Sequence, residues 1–137
     1  MATFTLSEGM LALPGAYQDH SINVLKFKEQ GATLVVTRAW DIKPGEEENF
    51  LQQQLAKVKR SMKKVVLDEV QDSVIGGLPA REVALRFENQ HVTVYEKLAV
   101  ARVEDHLMAF TLSRVAPFDA DAEAFWTAVK SGVQPGA

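Results

Sequence analysis

Alternating apolar and polar positions run along most of the chain and predict β-strands. The segment 80–88 alternates most regularly, with Val83, Leu85 and Phe87 on one face and charged residues on the other. Segments rich in β-favouring residues lie on both sides of it, and Pro and Gly mark turns between them. The other predicted strands, in chain order, are 12–16, 20–28, 32–40, 65–74, 92–102 and 106–114.

Two segments have the spacing of helices instead. Between 46 and 63, apolar residues recur at helical intervals, glutamates begin the segment and basic residues crowd its end, as the helix dipole favours. A second helix follows Pro117, with Asp119 or Asp121 as its N-cap. The apolar stripe of the first helix consists of Phe50, Leu51, Leu55, Val58 and Met62.

The order of these elements is ββ-α-ββββ-α, with a short extra strand at the front, and it predicts an α+β fold. Because the loops between consecutive strands are short, neighbouring strands are expected to be antiparallel. We therefore expect an antiparallel sheet of about six strands, with the two helices at one side of it. A length of 137 residues suits a single domain, 1–137.

Composition and charge narrow the class of protein. Hydrophobic residues make up 47% and charged residues 24%, as in soluble globular proteins, and the net charge of −3 gives no signature for nucleic acid. The sequence contains no cysteine, which excludes disulfides and cysteine-based metal sites. The chain does not begin like a secretory signal, and no apolar stretch is long enough to span a bilayer. We expect a cytoplasmic protein.

Residue types that commonly perform catalysis are scattered along the chain. The histidines His20, His91 and His106 lack the spacing of a helical metal site. Asp19 and Asp105 precede two of them, but adjacent strand residues point to opposite faces. We therefore expect no catalytic residues, no metal and no cofactor, and a binding protein rather than an enzyme.

The hairpin before the first helix is apolar on both of its faces. On its first strand, Leu25 and Phe27 point one way and Ile22 and Val24 point the other. On its second strand, Val35 points away from its apolar neighbours. Three interpretations account for this pattern: a core that the helices cover, a homodimer interface, or a groove for an apolar partner.

Two polar residues interrupt apolar stretches. Gln54 falls inside the apolar stripe of the first helix, where its amide needs a hydrogen-bond partner. Lys97 lies between Tyr95 and Ala99 on a strand of apolar and β-branched residues. Each has two interpretations, a side chain at the rim that reaches water or a contact to a bound partner.

A set of residues from the beginning to the end of the chain forms a recognisable pattern, and its most specific part is Gln-Asp-x-Ser-Ile-Asn at 18–23. The other residues of the pattern are Leu6, Glu8, Pro14, Ala16, Tyr17, the segments 35–38, 54–55 and 76–80, and Phe50, Pro117 and Trp126. This pattern resembles the Eag chaperones of bacterial type VI secretion, in the DcrB-related group of PsbP-like folds. The resemblance covers nearly the whole chain.

The resemblance implies a small homodimeric chaperone. Eag chaperones bind the N-terminal transmembrane helices of a secreted toxin effector, their client, shield these helices from water, and help to load the effector onto the secretion spike. The family tends to have a glutamine where this chain has Lys97. The resemblance implies that the client-binding groove contains Ile22, Val24, Val35, Thr37, Gln54, Val58, Met62 and Lys97.

A second hypothesis is a PsbP-like domain that binds a lipid or another small apolar ligand. That hypothesis predicts an enclosed apolar cavity within one subunit. The chaperone hypothesis instead predicts apolar surface that stays open at Ile22, Val24 and Val35. An enzyme would need histidine and carboxylate side chains clustered in a concave pocket, which the sequence does not suggest.

Overall fold

The computed structural model describes residues 2–135, in which nine β-strands and two α-helices occur. Neither helix, of 15 and 12 residues, is long and apolar enough within this part of the chain to cross a membrane. The strands are β1 Ala2–Leu6, β2 Gly9–Leu13, β3 Asn23–Phe27, β4 Ala32–Ala39, β5 Lys63–Leu67, β6 Gln71–Ile75, β7 Leu78–Asn89, β8 Val92–Val103 and β9 His106–Arg114. The helices are α1 Glu47–Ser61 and α2 Ala120–Ser131. Asp119, one of the two candidate caps, accepts a hydrogen bond from the backbone of Ala122 at 2.9 Å and caps α2.

Seven of the strands form one antiparallel sheet. Adjacent strands follow the order β3-β4-β9-β8-β7-β5, β6 also pairs with β7, and β1 and β2 form a separate hairpin. The predicted α+β class, with an antiparallel sheet and two helices, is confirmed, but the strands outnumber the expected six. One of the additional strands is β1, which begins before the first predicted strand, 12–16.

The segment 65–74, predicted as one strand, contains two. Both β5 and β6 pair with β7, which at 12 residues is long enough to hold them one after the other. Between them lie the exposed Asp68 and Glu69, and the backbone N–H of Asp68 donates to the carbonyl of Ala84 at 2.9 Å. Because acidic residues are poor strand formers, they interrupt the pairing although apolar residues continue on both sides.

The two helices lie on opposite faces of the sheet, not at one side as expected. Trp126 of α2 packs in a cluster with Leu34 and Leu112, whereas Leu51 of α1 packs in a different cluster with Leu107. We call these faces the α2 side and the α1 side. Since neighbouring strand residues point to opposite faces, a helix on each side explains why the β3–β4 hairpin is apolar on both.

A half-buried polar network fastens α2 to the sheet. The carboxylate of Glu82 on β7 accepts hydrogen bonds from Trp126 Nε1 at 2.9 Å, Lys130 Nζ at 2.6 Å and Ser73 Oγ at 2.7 Å. Burial alone would raise the pKa of Glu82, but these hydrogen bonds outweigh burial and hold the pKa below its ordinary value. Helix α2 is therefore held on its side of the sheet through a charged group.

Replacing Glu82 by alanine is expected to lower the free energy of unfolding by about 3 kcal/mol at neutral pH, because three donors lose a half-buried, charged acceptor. Since folding lowers the pKa of Glu82, its contribution to stability is present above about pH 4.5 and is lost as the pH falls further. Urea denaturation of the wild type and of Glu82→Ala at neutral and acidic pH measures both effects.

The matched control is Glu88→Ala, which removes an ion pair to the exposed Lys64. We expect this control to change the free energy of unfolding by no more than about 1 kcal/mol. If Glu82→Ala destabilised the protein no more than Glu88→Ala did, the network would not be what holds α2.

Candidate functional site

Helix α1 covers only part of its side of the sheet. Six adjacent strands at about 4.8 Å spacing span roughly 24 Å, whereas a helix with its side chains is about 10 Å across. The cluster beneath α1 includes Val83 from β7, Leu98 from β8 and Leu107 from β9. Farther across the sheet, Val24 on β3 is 54% exposed, and Ile22 just before that strand is 65% exposed. The α1 side is therefore left open over β3 and β4.

Strand register brings the uncovered side chains together from three strands. Val24 lies opposite Val35, and Val35 lies opposite Thr111, so that the three form one row across the sheet. Thr37 and Ile22 have the same parity along their segments and extend this surface by a second row. We call the surface formed by these five residues the open face. It combines apolar side chains with two hydroxyl groups.

One flank of α1 borders the open face. On the other flank, Glu48 reaches Arg81 on β7, with 3.1 Å between Oε2 and Nε, and this contact sets the rotation of the helix. At about 100° per residue, Phe50 and Gln54 then lie on the flank turned toward β9 and β4. Both are half-buried. Gln54 thus stands beside the open face with an amide that can donate and accept hydrogen bonds.

Val58 and Met62, also predicted as site residues, lie nearer the core. Both are partly buried and pack against the cluster that contains Leu51 and Leu55. Met62 ends the helix, and its backbone N–H donates to the carbonyl of Val58 at 2.9 Å. These two residues therefore belong to the apolar cluster beneath α1 and not to the open face.

An ion pair holds the beginning of α1. Arg102 Nε donates to Glu47 Oε2 at 2.7 Å, and the same guanidinium donates to the carbonyl of Ile42 at 2.6 Å. The hydrogen bond from Arg102 lowers the pKa of Glu47 against the opposing effect of burial. This contact holds α1 over β8 and so fixes where the open face begins.

The polar residues of the 18–23 motif brace the chain as it enters β3. The backbone N–H of Ser21 donates to Asp19 at 2.9 Å, and Arg38 Nη1 donates to Asn23 Oδ1 at 2.5 Å. Burial would raise the pKa of Asp19, but the hydrogen bonds from Ser21 and the charge of Arg38, 3.4 Å away, outweigh it and lower the pKa. The motif thus holds the edge strand of the open face in place.

Lys97 is separated from the other predicted site residues. Its side chain points to the α2 side, where Nζ lies 2.9 Å from Glu123 Oε1 and 5.4 Å from the centre of the Phe118 ring. The sheet lies between this ammonium group and the open face, so the structure does not bring Lys97 together with the other seven. This placement corrects the expectation from the sequence, and the physical reason is the alternation of side chains along β8.

Glu96, the residue before Lys97, lies on the α1 side instead. On the neighbouring strands, Leu85 of β7 and Ser113 of β9 lie opposite it. Burial raises the pKa of Glu96 to about 7, and among residues 2–135 no group lowers it by donating a hydrogen bond or by its charge. Alternation along the strand indicates that Glu96 shares a face with Leu98 and not with Lys97, but it does not indicate which helix covers that face.

The sequence reasoning also missed the hydroxyl groups of β9. Thr111 lies in the row of Val24 and Val35, and Ser113 lies two residues farther along the same face of the strand. Alternation around the buried Leu112 indicates that they share a face. Nothing in the sequence indicates that β9 pairs with β4, because the two strands are far apart along the chain.

A cavity of about 700 Å³ opens on the α2 side, between the β3–β4 turn and the first turn of α2. Its lining includes Glu29, Asp119 and Asp121 together with Arg114. Apolar side chains, among them Leu112 and Phe125, line the rest of it, so the lining combines charged and apolar groups. Within the described residues, no group of three histidine or carboxylate side chains is placed to hold a metal ion.

Comparison with known proteins gives the family of this fold. The family model for DcrB matches residues 8–132. This chain belongs to the DcrB family. A comparison of this DcrB-family chain with curated proteins finds no match.

Solved structures similar to the DcrB-family chain include two bacterial proteins. PA94 from Pseudomonas aeruginosa, a protein of unknown function, is 20% identical, with 100% of this chain and 98% of that protein covered and a TM-score of 0.78. Cyanobacterial PsbP (CyanoP) from Synechocystis sp. PCC 6803 is 11% identical, with 88% and 96% covered and a TM-score of 0.53. The chain therefore has a PsbP-like fold.

Replacing Glu96 by glutamine is expected to stabilise the free DcrB-family chain at alkaline pH. Because folding raises the pKa of Glu96 from 4.5 to about 7, the folded state binds its proton more tightly. The stability that this proton contributes is present below about pH 4.5 and is lost as the pH rises through 7. The variant is therefore expected to gain up to about 3 kcal/mol near pH 8 and to change little near pH 5.

Urea denaturation at both pH values measures this difference, and Glu69→Gln, in the exposed turn between β5 and β6, serves as the control. Equal stability of wild type and Glu96→Gln near pH 8 would mean that Glu96 is not an ionised carboxylate held away from water.

Proposed function

We propose that this DcrB-family chain is a chaperone that binds apolar helical segments of another protein on its open face. As in the Eag chaperones that it resembles, the client is an effector of type VI secretion with N-terminal transmembrane helices. The single observation that carries the proposal is the apolar surface left uncovered on the α1 side, with Ile22 and Val24 more than half exposed.

A transmembrane helix outside a membrane needs such a surface. A helix of about 20 apolar residues is roughly 30 Å long and would expose on the order of hundreds of Å² of apolar area to water. Each Å² that it buries against Ile22, Val24 and Val35 contributes about 25 cal/mol. The sheet face therefore takes the place that lipid or a neighbouring helix has for the client in a membrane.

The polar groups of the open face suit the same client. Transmembrane helices associate through small residues and through Ser, Thr, Asn and Gln side chains that bond between helices. Thr37, Thr111 and Gln54 offer hydroxyl and amide groups at the floor and wall of the open face. These groups would pair with polar side chains of the client that otherwise lose water without replacement.

The proposal describes a binding protein of the bacterial cytoplasm with no catalytic role and no cofactor. By the same resemblance, the chaperone helps to load its client onto the secretion spike. The alternative, a domain that binds a lipid or a small apolar ligand, expects an enclosed apolar cavity. The cavity on the α2 side has a mixed charged and apolar lining, whereas Ile22 and Val24 are exposed on the α1 side, and this favours the chaperone over that alternative.

We also propose that the chaperone is a homodimer. The β1–β2 hairpin forms a sheet of its own in which Leu6, Met10 and Leu11 are exposed, with Met10 at 65%. It contacts the following segment through Tyr17, whose hydroxyl donates to the carbonyl of Thr3 at 2.7 Å. A two-stranded hairpin is marginally stable by itself, so a second copy of the chain is the expected cover for these side chains.

Val24→Asp is expected to weaken binding of a model transmembrane peptide, about 20 leucine and alanine residues long, by about tenfold or more. The carboxylate would have to lose water in the middle of an apolar contact. The labelled peptide is diluted from detergent into solutions of the chain, and the fraction that stays soluble is measured. Gln54→Ala should have a smaller effect of about threefold, because it removes one neutral hydrogen-bonding group.

The matched control is Val74→Asp on β6, whose side chain is 58% exposed and lies away from the open face. This control should hold the peptide in solution as well as the wild type does. Two results would refute the open face as the binding surface. One is that Val24→Asp and Val74→Asp lose peptide binding equally, and the other is that both Val24→Asp and Gln54→Ala bind the peptide as well as the wild type does.

Sedimentation equilibrium is expected to give twice the 15.1 kDa mass of one chain. Met10→Asp should shift this equilibrium toward the monomer, because it places a charge in the contact proposed for the hairpin. A monomeric wild type at micromolar concentration would contradict the homodimer, and a dimeric Met10→Asp variant would place the contact elsewhere.

A further inference from the structure

Glu96 is a carboxylate on the α1 side of the sheet, in the row of strand residues next to the open face. Its position on β8 is directly opposite Ser113 on β9, and Ser113 is directly opposite Thr33 on β4. These three residues form the row next to that of Val24 and Val35. The end of the open face nearest the β3–β4 turn therefore has an acid at its inner edge.

Within residues 2–135, nothing is placed to pair with this carboxylate. Ser113 Oγ donates to the backbone oxygen of Thr33 at 3.5 Å and not to Glu96. On the same side of the sheet, Leu85 and Leu98 are the apolar neighbours of Glu96 on β7 and along β8. No described residue therefore donates to this half-buried carboxylate, and it can accept a hydrogen bond or an ion pair from a bound partner.

Lys26, the basic residue in the same row, does not pair with Glu96. Lys26 on β3 lies opposite Thr33, so it is separated from Glu96 by β4 and β9. Three strand spacings amount to about 14 Å, which is too far for an ion pair. Lys97 is adjacent in sequence but lies across the sheet with Glu123. Neither of these two bases therefore pairs with Glu96.

We infer that the apolar segment bound on the open face carries a basic side chain that pairs with Glu96. The inference rests on the proposed chaperone function and specifies which apolar segments the open face prefers. A lysine or arginine in the client would lie with its stem along the apolar row and its charged end at Glu96. When it is ionised, a carboxylate accepts hydrogen bonds and donates none. A positively charged donor therefore forms the strongest pair with it.

The pairing would give selectivity that apolar contact alone cannot supply. A fully apolar helix placed over the same end would leave Glu96 buried without a donor and would be disfavoured. The client's own basic group is equally unfavourable in an apolar sequence unless it finds a carboxylate. When the two charged groups pair, each offsets the free-energy cost of burying the other. The open face would therefore distinguish its client from other membrane segments.

The test uses three model peptides, each about 20 residues of leucine and alanine with lysine, glutamine or leucine at the centre. Each peptide carries a fluorescent label and is titrated into the wild type, Glu96→Gln and the control Glu69→Gln. Dissociation constants are measured from the fluorescence of the label. The wild type and the control should bind the lysine peptide about tenfold more tightly than the leucine peptide. In Glu96→Gln this preference should disappear or reverse.

Three outcomes separate the inference from the proposed function. If the wild type binds none of the peptides, the chaperone function itself fails. If it binds all three with equal affinity, or if Glu96→Gln keeps the preference for lysine, the chaperone function stands and the pairing is overturned. A preference for the glutamine peptide over the lysine peptide would also overturn the basic partner. Binding of the leucine peptide by Glu96→Gln verifies that this variant retains its open face.

Discussion

One helix on each face cannot cover a sheet six strands wide, and this limit shapes the molecule. The chain has an apolar cluster on both faces of the sheet, and each cluster has a single helix to close it. A helix spans about two strand spacings. On the α1 side, the helix lies over β7, β8 and β9, and the apolar residues of β3 and β4 are left without cover. The open face is exposed because α1 does not extend over β3 and β4.

The two helices are attached to the sheet in different ways. On the α2 side, Glu82 fastens the helix, and Phe125 of that helix reaches Phe27 on the edge strand, with ring centres 5.0 Å apart. Side chains of α2 thus reach both β7 and β3 on that side. On the α1 side, Glu48 and Glu47 hold the helix to Arg81 and Arg102, away from the edge strand. The direction in which each helix is tied decides which face stays open.

Local patterns in the sequence predicted the elements that depend on near neighbours. The first helix, its acidic beginning and the β3–β4 hairpin all follow from spacing within a few residues. The segment 65–74 did not, because apolar residues on both sides of Asp68 and Glu69 imitate one continuous strand. For the site, the hairpin residues Val24 and Val35 and the helix residue Gln54 could be named from sequence and resemblance, since each lies within a recognisable motif.

The sequence by itself determined that the β3–β4 hairpin is apolar on both faces and that Gln54 interrupts an apolar stripe, because alternation and helical spacing are local properties. Only the tertiary structure decided that the helices take opposite faces and that β9 brings Thr111 beside Val35. On β8, likewise, only the tertiary structure shows that Glu96 lies on the α1 side and that the next residue, Lys97, lies on the α2 side. Which face of a strand a helix covers depends on long-range packing, and no local pattern records it.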